Sequence, residues 1–567
     1  DSDQTAWWWC EGTYKVGRQR PSPTGPARPV RIAACRGEYE PVQIVLRPER
    51  AMRGLTARIT GDNEALVAAT KVYEVAYHYV QRPTDSAGCV GWWPDALPPL
   101  NGPIDLEPGV NQPLWVLTKI PKDCPAGDHA LTLTLSAEGV KPIRIPITVH
   151  VYDFAIPYPG HVTTAFGLSA GNIRRYHNLE TLDEQRRVWD AYMASFREHR
   201  ISPYDFAPFD PIRLEWARSG PGDEPELRAR LDFAAWDAQA RRYLDGFGFN
   251  SFRLPLAHTG GGSFHSRTAG RIGPYEQGTP GYRAAFADYA GQIQRHLEQN
   301  HWLHEAYVYW FDEPDPKDYA FVVNGMEEIH RAAPKLRRML TEEPNPALFG
   351  AVDIWCPVLH NHDPEACRAR QEAGEAIWWY VCTAPKAPYP GLFIDHNAID
   401  LRIWLWMTWK WNVQGILVWK SNYWTSPAAF PRGRLQNPWT DPMGYVSGYD
   451  KPEGYIGYWG NGDGRFIYPP NRDIENDRGK YLDGPVSSIR WEMLREGLED
   501  FEYFQLLRDR IDLARKTGRD PATLERYERL LDIPPAIITD KTHFTHDPRP
   551  LYTQRDRIAG AIEALGR

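Results

Sequence analysis

The chain has 567 residues, with 65 Lys+Arg against 73 Asp+Glu and a formal charge of −8, which gives no electrostatic reason to expect nucleic acid as a partner. Hydrophobic residues make up 42% and charged residues 24%, ordinary usage for a folded chain of about two to four domains, and no apolar run reaches the ~20 residues that span a bilayer. The 46 Gly and 50 Pro fall short of the ~25–30% that marks disorder, so the chain is expected to be folded and loop-rich.

Aromatic residues are 13%, including 23 Trp, whose flat apolar faces suit sugar stacking as well as aromatic cores. The chain starts at Asp1 without Met, and the expectation is a removed signal peptide and a secreted or periplasmic protein. The seven cysteines contain no CxxC, which disfavours a zinc ribbon or a thioredoxin-type site. Cys10 and Cys35 flank a Pro-rich loop and could pair in an exported protein.

In chain order, residues 1–158 read as an all-β sandwich domain. Three runs alternate apolar and polar residues, Pro41-Val42-Gln43-Ile44-Val45-Leu46 less cleanly than Ala130-Leu131-Thr132-Leu133-Thr134-Leu135 and Pro146-Ile147-Thr148-Val149-His150-Val151. Turn signals at Pro125-Ala126-Gly127 and Glu138-Gly139 separate them. From about 159 the pattern changes to short apolar strands alternating with amphipathic helices. Strands are expected at 162–168, 251–256, 306–311, 338–341, 353–358, 376–381 and 415–419, with a weaker one near 201–206. Helical stripes run through Val188, Tyr192 and Phe196, and through Tyr282, Phe286, Tyr289, Ile293 and Leu297.

About eight such units predict a (β/α)8 TIM-type barrel with long loops over 159–510; a doubly wound sheet is second, and no GxGxxG follows an early strand. Residues 425–484 are loop-rich, with Phe430-Pro431-Arg432-Gly433 and Gly460-Asn461-Gly462-Asp463-Gly464. Ser487 then reads as the N-cap of a closing helix through Ile489, Met493, Leu494, Leu498 and Phe501. A C-terminal helical segment fills 511–567.

Barrel chemistry sits at the C-terminal strand ends. The fourth strand ends Tyr309-Trp310-Phe311-Asp312-Glu313-Pro314. Strand alternation sends neighbouring side chains to opposite faces, so both carboxylates can serve one pocket only if the chain bends there. The bland alternative is a surface Asp-Glu before a turn. Two adjacent carboxylates are awkward for an ordinary glycosidase, whose carboxyls flank the sugar bond, but they suit a substrate-assisted reaction. There the 2-acetamido group of an N-acetylhexosamine attacks its own anomeric carbon, one acid protonates the leaving oxygen, and one carboxylate holds the acetamido N–H.

Asp312-Glu313-Pro314 resembles the catalytic Asp-Glu-Pro of the bacterial β-N-acetylgalactosaminidases of glycoside hydrolase family 123. Gly37-Glu38-Tyr39-Glu40-Pro41-Val42-Gln43 resembles that group's N-terminal sandwich. Trp378-Trp379-Tyr380-Val381-Cys382, Gly415-Ile416-Leu417-Val418-Trp419 with Asn422 and Trp424, and Gly462-Asp463-Gly464-Arg465 with Tyr468-Pro469 resemble its barrel. Ser488-Ile489-Arg490-Trp491-Glu492 with Gly497-Leu498-Glu499-Asp500 resembles its closing helix. The resemblance implies that Asp312 orients the acetamido group and that Glu313 is the general acid, then base. It implies an exo-acting, retaining hydrolase of a glycan, with no cofactor.

A second acidic pair, Thr341-Glu342-Glu343-Pro344, ends the fifth strand and departs from the family pattern. Either glutamate could act as nucleophile or base toward a sugar lacking an acetamido group, or the pair is a solvated loop. The seventh strand ends Trp379-Tyr380-Val381-Cys382-Thr383 without a carboxylate, against the common retaining barrel class. Tyr380, Trp419, Trp424 and Asn422 are candidate sugar contacts, and His258 and His360 candidate hydroxyl binders. A metal site from His258, His360 and His362 is conceivable, but no spacing supports it. A non-catalytic carbohydrate-binding protein on the same scaffold is the competing class, and the intact acidic pair favours the enzyme. The sequence specifies no sugar, linkage or oligomeric state.

Overall fold

The alternating runs near the N-terminus become long strands of two sheets. The computed structural model describes residues 5–25, 28–220, 225–429, 432–445 and 457–566. One sheet has four strands, with Tyr39–Arg47 and Gln112–Lys119 at its centre; the other has five, centred on Gly127–Ala137 and Val140–Ala155. Glu138-Gly139 forms the tight connection between the latter two, with Gly139 at φ 67°.

Val42, Ile44, Leu46, Leu114 and Val116 from one sheet meet Ile32, Leu131, Leu133, Ile147 and Val149 from the other in one apolar core. Each such side chain contributes about 1.5–3 kcal/mol when fully buried. The strand Tyr39–Arg47 alternates poorly because it is buried on both faces: Gln43 points away from that core and donates to the carbonyls of Glu11 and Tyr14 at 3.1 and 2.7 Å. Cys10 and Cys35 stand on strands of different sheets and remain free thiols, so the pairing the sequence allows is not made.

The second half is built on a nearly closed parallel barrel of seven strands. Their order around the sheet is Thr163–Phe166, Gly415–Val418, Ala376–Tyr380, Ile354–Trp355, Arg337–Leu340, Ala306–Tyr309 and Phe252–Arg253. The gap between the first and last is bridged by residues 202–204. Phe166 N–H donates to the Ser202 carbonyl at 3.0 Å, Tyr204 N–H to the Phe166 carbonyl at 2.8 Å, and Arg253 N–H to the Tyr204 carbonyl at 2.8 Å. The weak strand expected near 201–206 is therefore an isolated parallel bridge, Phe166 to Pro203, rather than a regular strand. Inside the barrel Ala165, Tyr204, Tyr307, Met339, Ile354, Trp378, Tyr380 and Leu417 share a core of their own.

Helices pack outside with the expected stripes inward. Leu182–Glu198 starts at a capping box, Thr181 with Glu184, and buries Val188, Tyr192 and Phe196. Pro280–Gln299 starts at the N-cap Thr279 with Pro at the first turn. The closing helix Ile489–Lys516 is capped by Ser488, whose side chain accepts from Trp491 N–H at 3.1 Å; Ser487 instead pairs with Leu97 of the N-terminal region. The predicted cap is thus displaced by one residue. Of the 425–484 loop, Phe430, Pro431 and residues 446–456 lie outside the described residues.

The closing helix is buried nearly all round over its first half, including Glu492, Arg495, Glu496, Glu499 and Asp500. Buried charges require partners. Asp500 accepts from Arg402 at 2.6 and 2.9 Å, and Glu492 accepts from His199 at 2.8 Å. From the N-terminal sheets, Glu38 and Glu40 both reach Arg555 of the last helix, Arg549–Gly566, and Tyr503 donates to Glu38 at 2.6 Å. The Gly37-Glu38-Tyr39-Glu40 motif therefore locks the sheets to the two C-terminal helices. Removing one partner of such a network costs about 3–5 kcal/mol. Among the described residues no helix is long and apolar enough to cross a membrane.

Candidate active site

The strand Ala306–Tyr309 leaves the barrel register at Trp310. The next two residues, Phe311–Asp312, pair with Gly262 and Ser263 of an outlying hairpin instead of a barrel neighbour. The hairpin can come this close only because it is glycine-rich. Gly261 sits at φ 114°, and a Cβ there would lie 2.3 Å from the Trp310 carbonyl oxygen. Glu313 follows at φ 46°, in the left-handed region that costs a non-glycine residue about 1–2 kcal/mol. This is the bend that adjacent carboxylates require to share a pocket. It is held by Glu313 N–H, which donates to Thr341 Oγ1 at 2.9 Å.

Asp312 and Glu313 open into a cavity of about 620 Å³ at the C-terminal mouth of the barrel. Asp312 Oδ1 accepts from the Tyr309 hydroxyl and from Thr341 Oγ1, the latter at 3.0 Å. Glu313 Oε1 accepts from the Tyr380 hydroxyl. Burial pushes the Glu313 carboxyl above its ordinary range; the Tyr380 hydrogen bond opposes this and the Asp312 charge adds to it. A carboxyl so placed suits proton donation near neutral pH, and the anchored Asp312 suits the accepting of an N–H.

Of the other residues singled out from the sequence, Tyr380 and Trp419 line this cavity. Tyr380 is 6% exposed and acts through its hydroxyl on Glu313. Trp419 is half-buried and stands edge-on to Trp459, another wall residue, at 5.4 Å. Its indole N–H donates to Asp463 at 3.1 Å. Burial pushes the Asp463 carboxyl up to about 6. Gly464, at φ 70°, leaves room for the Trp419 ring, 2.6 Å from where a Cβ would be. The turn at Asn461-Gly462-Asp463-Gly464 thus serves to aim Trp419.

The remaining candidates lie outside the cavity lining. Trp424 is fully buried against Tyr176, His177 and Tyr192, and its N–H donates to the Ile467 carbonyl at 2.7 Å. Asn422 is fully buried and clamps Ser169, accepting from its N–H at 2.8 Å and donating to its carbonyl at 2.9 Å. His258 is exposed and accepts from Trp216 at 3.3 Å. His360 is exposed beside Tyr389. Glu342 accepts from Tyr319 at 2.8 Å, and Glu343 from Asn361 at 3.3 Å. Burial, with Glu343 and Glu313 adding to it against the Tyr319 hydrogen bond, pushes Glu342 up to about 7. Among the described residues no group of three or more His, Cys, Asp or Glu side chains could hold a metal ion.

Several wall residues escape sequence reasoning. Thr341 is the fifth strand's contribution to the site, one position before the acidic pair that drew attention. Tyr309 was visible only as an aromatic strand residue. Tyr204, Arg253 and Lys420 line the opposite part of the mouth. The rule that strand ends carry function would have pointed to Arg253 and Lys420; Trp459, on a loop, gives no such signal.

The catalytic-domain model of glycoside hydrolase 123 matches residues 265–507, a span that includes Asp312, Glu313, Thr341, Tyr380, Trp419 and Trp459. No curated protein matches the chain. Among solved structures, a family 123 glycoside hydrolase from Clostridium perfringens, described for glycolipid glycan hydrolysis, has a similar fold. The alignment covers 99% of this chain and 98% of that one, with a TM-score of 0.68 and 16% identity. A family 39 glycoside hydrolase from the gut symbiont Bacteroides cellulosilyticus WH2 overlaps 79% of this chain and 80% of that one at 8% identity, and its TM-score of 0.33 carries no argument. By the match over residues 265–507, the chain is a glycoside hydrolase that resembles family 123.

Proposed function

We propose that the chain is an exo-acting enzyme that removes a terminal N-acetylhexosamine with retention, by substrate-assisted catalysis. The observation that carries this reading is the pairing inside one cavity: Asp312 and Glu313 line it together, while Glu342 and Glu343 are bonded outside its lining. Among the described residues the one further carboxylate of the wall is Asp205, which accepts from the Ala207 N–H at 2.8 Å on the opposite part of the mouth. In the first step the acetamido carbonyl oxygen bonds to the anomeric carbon as the glycosidic C–O bond breaks, and Glu313 gives its proton to the leaving oxygen. Asp312 accepts the acetamido N–H and stabilises the positive charge that grows on that group. Water then attacks the anomeric carbon, loses a proton to Glu313, and the acetamide re-forms.

Trp419 and Trp459 offer apolar faces to the sugar ring. A cavity of about 620 Å³ supports action on a chain end rather than along an open groove. We read the frame as a (β/α)8 barrel whose eighth strand is the 202–204 bridge, and the N-terminal sheets as a sandwich that braces it. The likeness to the Clostridium perfringens enzyme supports a glycan of the kind found on glycolipids. The test is hydrolysis of 4-nitrophenyl N-acetylglucosaminide and N-acetylgalactosaminide, with inhibition by a thiazoline mimic of the cyclised acetamide. Turnover of the simple hexosides lacking the acetamido group, with no thiazoline inhibition, would reject the mechanism in favour of a two-carboxylate glycosidase.

A further inference from the structure

Two cations line the same cavity as the acidic pair, and the proposed chemistry uses neither. Lys420 follows the strand Gly415–Val418, and Arg253 ends the strand Phe252–Arg253; with Tyr204 between them they form the sector of the mouth where the barrel closes. Among the described residues neither side chain forms an ion pair or a hydrogen bond. The Arg253 guanidinium lies 5.3 Å over the Tyr204 ring. Asp205, which lines the same cavity, spends one oxygen on the Ala207 N–H at 2.8 Å and feels the Arg253 charge without closing to an ion pair, so Lys420 is the cation left without a carboxylate. The Tyr204 hydroxyl is buried and unpartnered.

A half-buried ammonium without a counter-charge is unfavourable, because desolvation is not offset. Burial draws the Lys420 pKa down, and the charge of Arg253 draws it down further. In a chain whose net charge is −8, two like charges brought together at a cavity wall are not the spill-over of a basic surface. A neutral sugar asks only for hydroxyl partners, which uncharged donors supply at less cost. An anionic oxygen group in the cavity would supply the counter-charge that Lys420 lacks and bond the exposed guanidinium of Arg253.

Resting on the N-acetylhexosaminidase reading above, we propose that Arg253 and Lys420 select a substrate carrying an anionic oxygen group next to the scissile bond. Two sources share this chemistry: a sulfate ester on the terminal sugar, or the carboxylate of a neighbouring uronic acid.

The experiment compares kcat/KM within matched pairs. One arm uses 4-nitrophenyl N-acetylhexosaminides, unsulfated and bearing a 4-O- or 6-O-sulfate. The other uses disaccharides with the N-acetylhexosamine linked to glucuronate or to glucose. At least one anionic member is expected to exceed its neutral twin by about tenfold or more, the scale of a charge-assisted contact. The pair that shows the excess identifies the source. In Lys420→Met and in Arg253→Gln that ratio is expected to fall toward one, and 0.5 M NaCl to lower it in the wild type. Neutral twins turned over as fast as every anionic partner would overturn the proposal while leaving the N-acetylhexosaminidase reading intact. An excess that survives both substitutions would overturn the assignment to these residues. Failure to hydrolyse any member of either arm would reject the underlying reading, and this inference with it.

Discussion

Two acidic dipeptides end neighbouring strands and each precedes a proline: Asp312-Glu313-Pro314 and Glu342-Glu343-Pro344. In sequence they look equivalent. In the fold, the first enters the cavity and the second does not. The first follows a strand that leaves its register at Trp310 and bends through a left-handed residue, Glu313. The second follows Thr341, which takes the inward position itself; strand alternation then turns Glu342 away, toward Tyr319. Thr341 links the two pairs by bonding both Asp312 and the Glu313 backbone. The lesson is that backbone strain and a neighbouring hydroxyl, not acidity, separate the pair that enters the cavity, proposed above as catalytic, from the pair that does not.

The comparison is broken most severely at Glu313. Glu313→Gln is expected to lower kcat on substrates with poor leaving groups by about 10²–10⁴-fold, and much less on aryl glycosides that need little protonation. Steady-state kinetics on both substrate types check this, and near wild-type turnover of the poor-leaving-group substrate refutes the role. Asp312→Asn is expected to cost about 10²–10³-fold on N-acetylhexosaminides, because an amide cannot stabilise the positive charge on the acetamido group.

A smaller effect sharpens the first pair. The Tyr380 hydroxyl favours ionised Glu313, so Tyr380→Phe raises the Glu313 pKa further. The general acid must be protonated, so activity falls as pH rises through that pKa. The alkaline limb of the kcat/KM profile should therefore move up, by about one unit. A limb that stays in place or moves down contradicts the assignment.

The smallest effect belongs to the second pair. Glu342→Gln should leave kcat/KM within about threefold of wild type. Its signature is instead in stability. The folded-state pKa of Glu342 lies near 7, above its unfolded value, so the native state holds the extra proton and wild-type stability falls as pH rises through about 4.5 to 7. The substitution removes that loss. Thermal melts should show Glu342→Gln more stable than wild type at pH 8 and little changed at pH 4, and the reverse order would refute it.

Much was legible without the fold. The alternating runs at 130–135 and 146–151, the helical stripes and seven of the eight strand positions follow from apolar periodicity, which local geometry enforces. The Asp312-Glu313 pair stood out because it ends an aromatic strand. Other readings depended on contacts between distant segments. Trp424 beside Asn422 looked like a sugar platform, yet both are buried in the scaffold, because burial is set by what packs from elsewhere in the chain. Asp500 and Glu492 of the closing helix could be placed only once Arg402 and Arg555 were seen to meet the first and His199 the second.

The sequence by itself determined the change from a sheet-rich first region to alternating strands and helices, and the location of the acidic pair at a strand end. Both rest on short-range periodicity and on chain order. Only the tertiary structure decided which acids share a cavity, that Tyr309, Thr341 and Tyr380 grip them, and that Arg253, Lys420 and Trp459 complete the wall. These partners are brought together by closure of the barrel, and a side chain's partner across a barrel mouth leaves no local pattern in the chain.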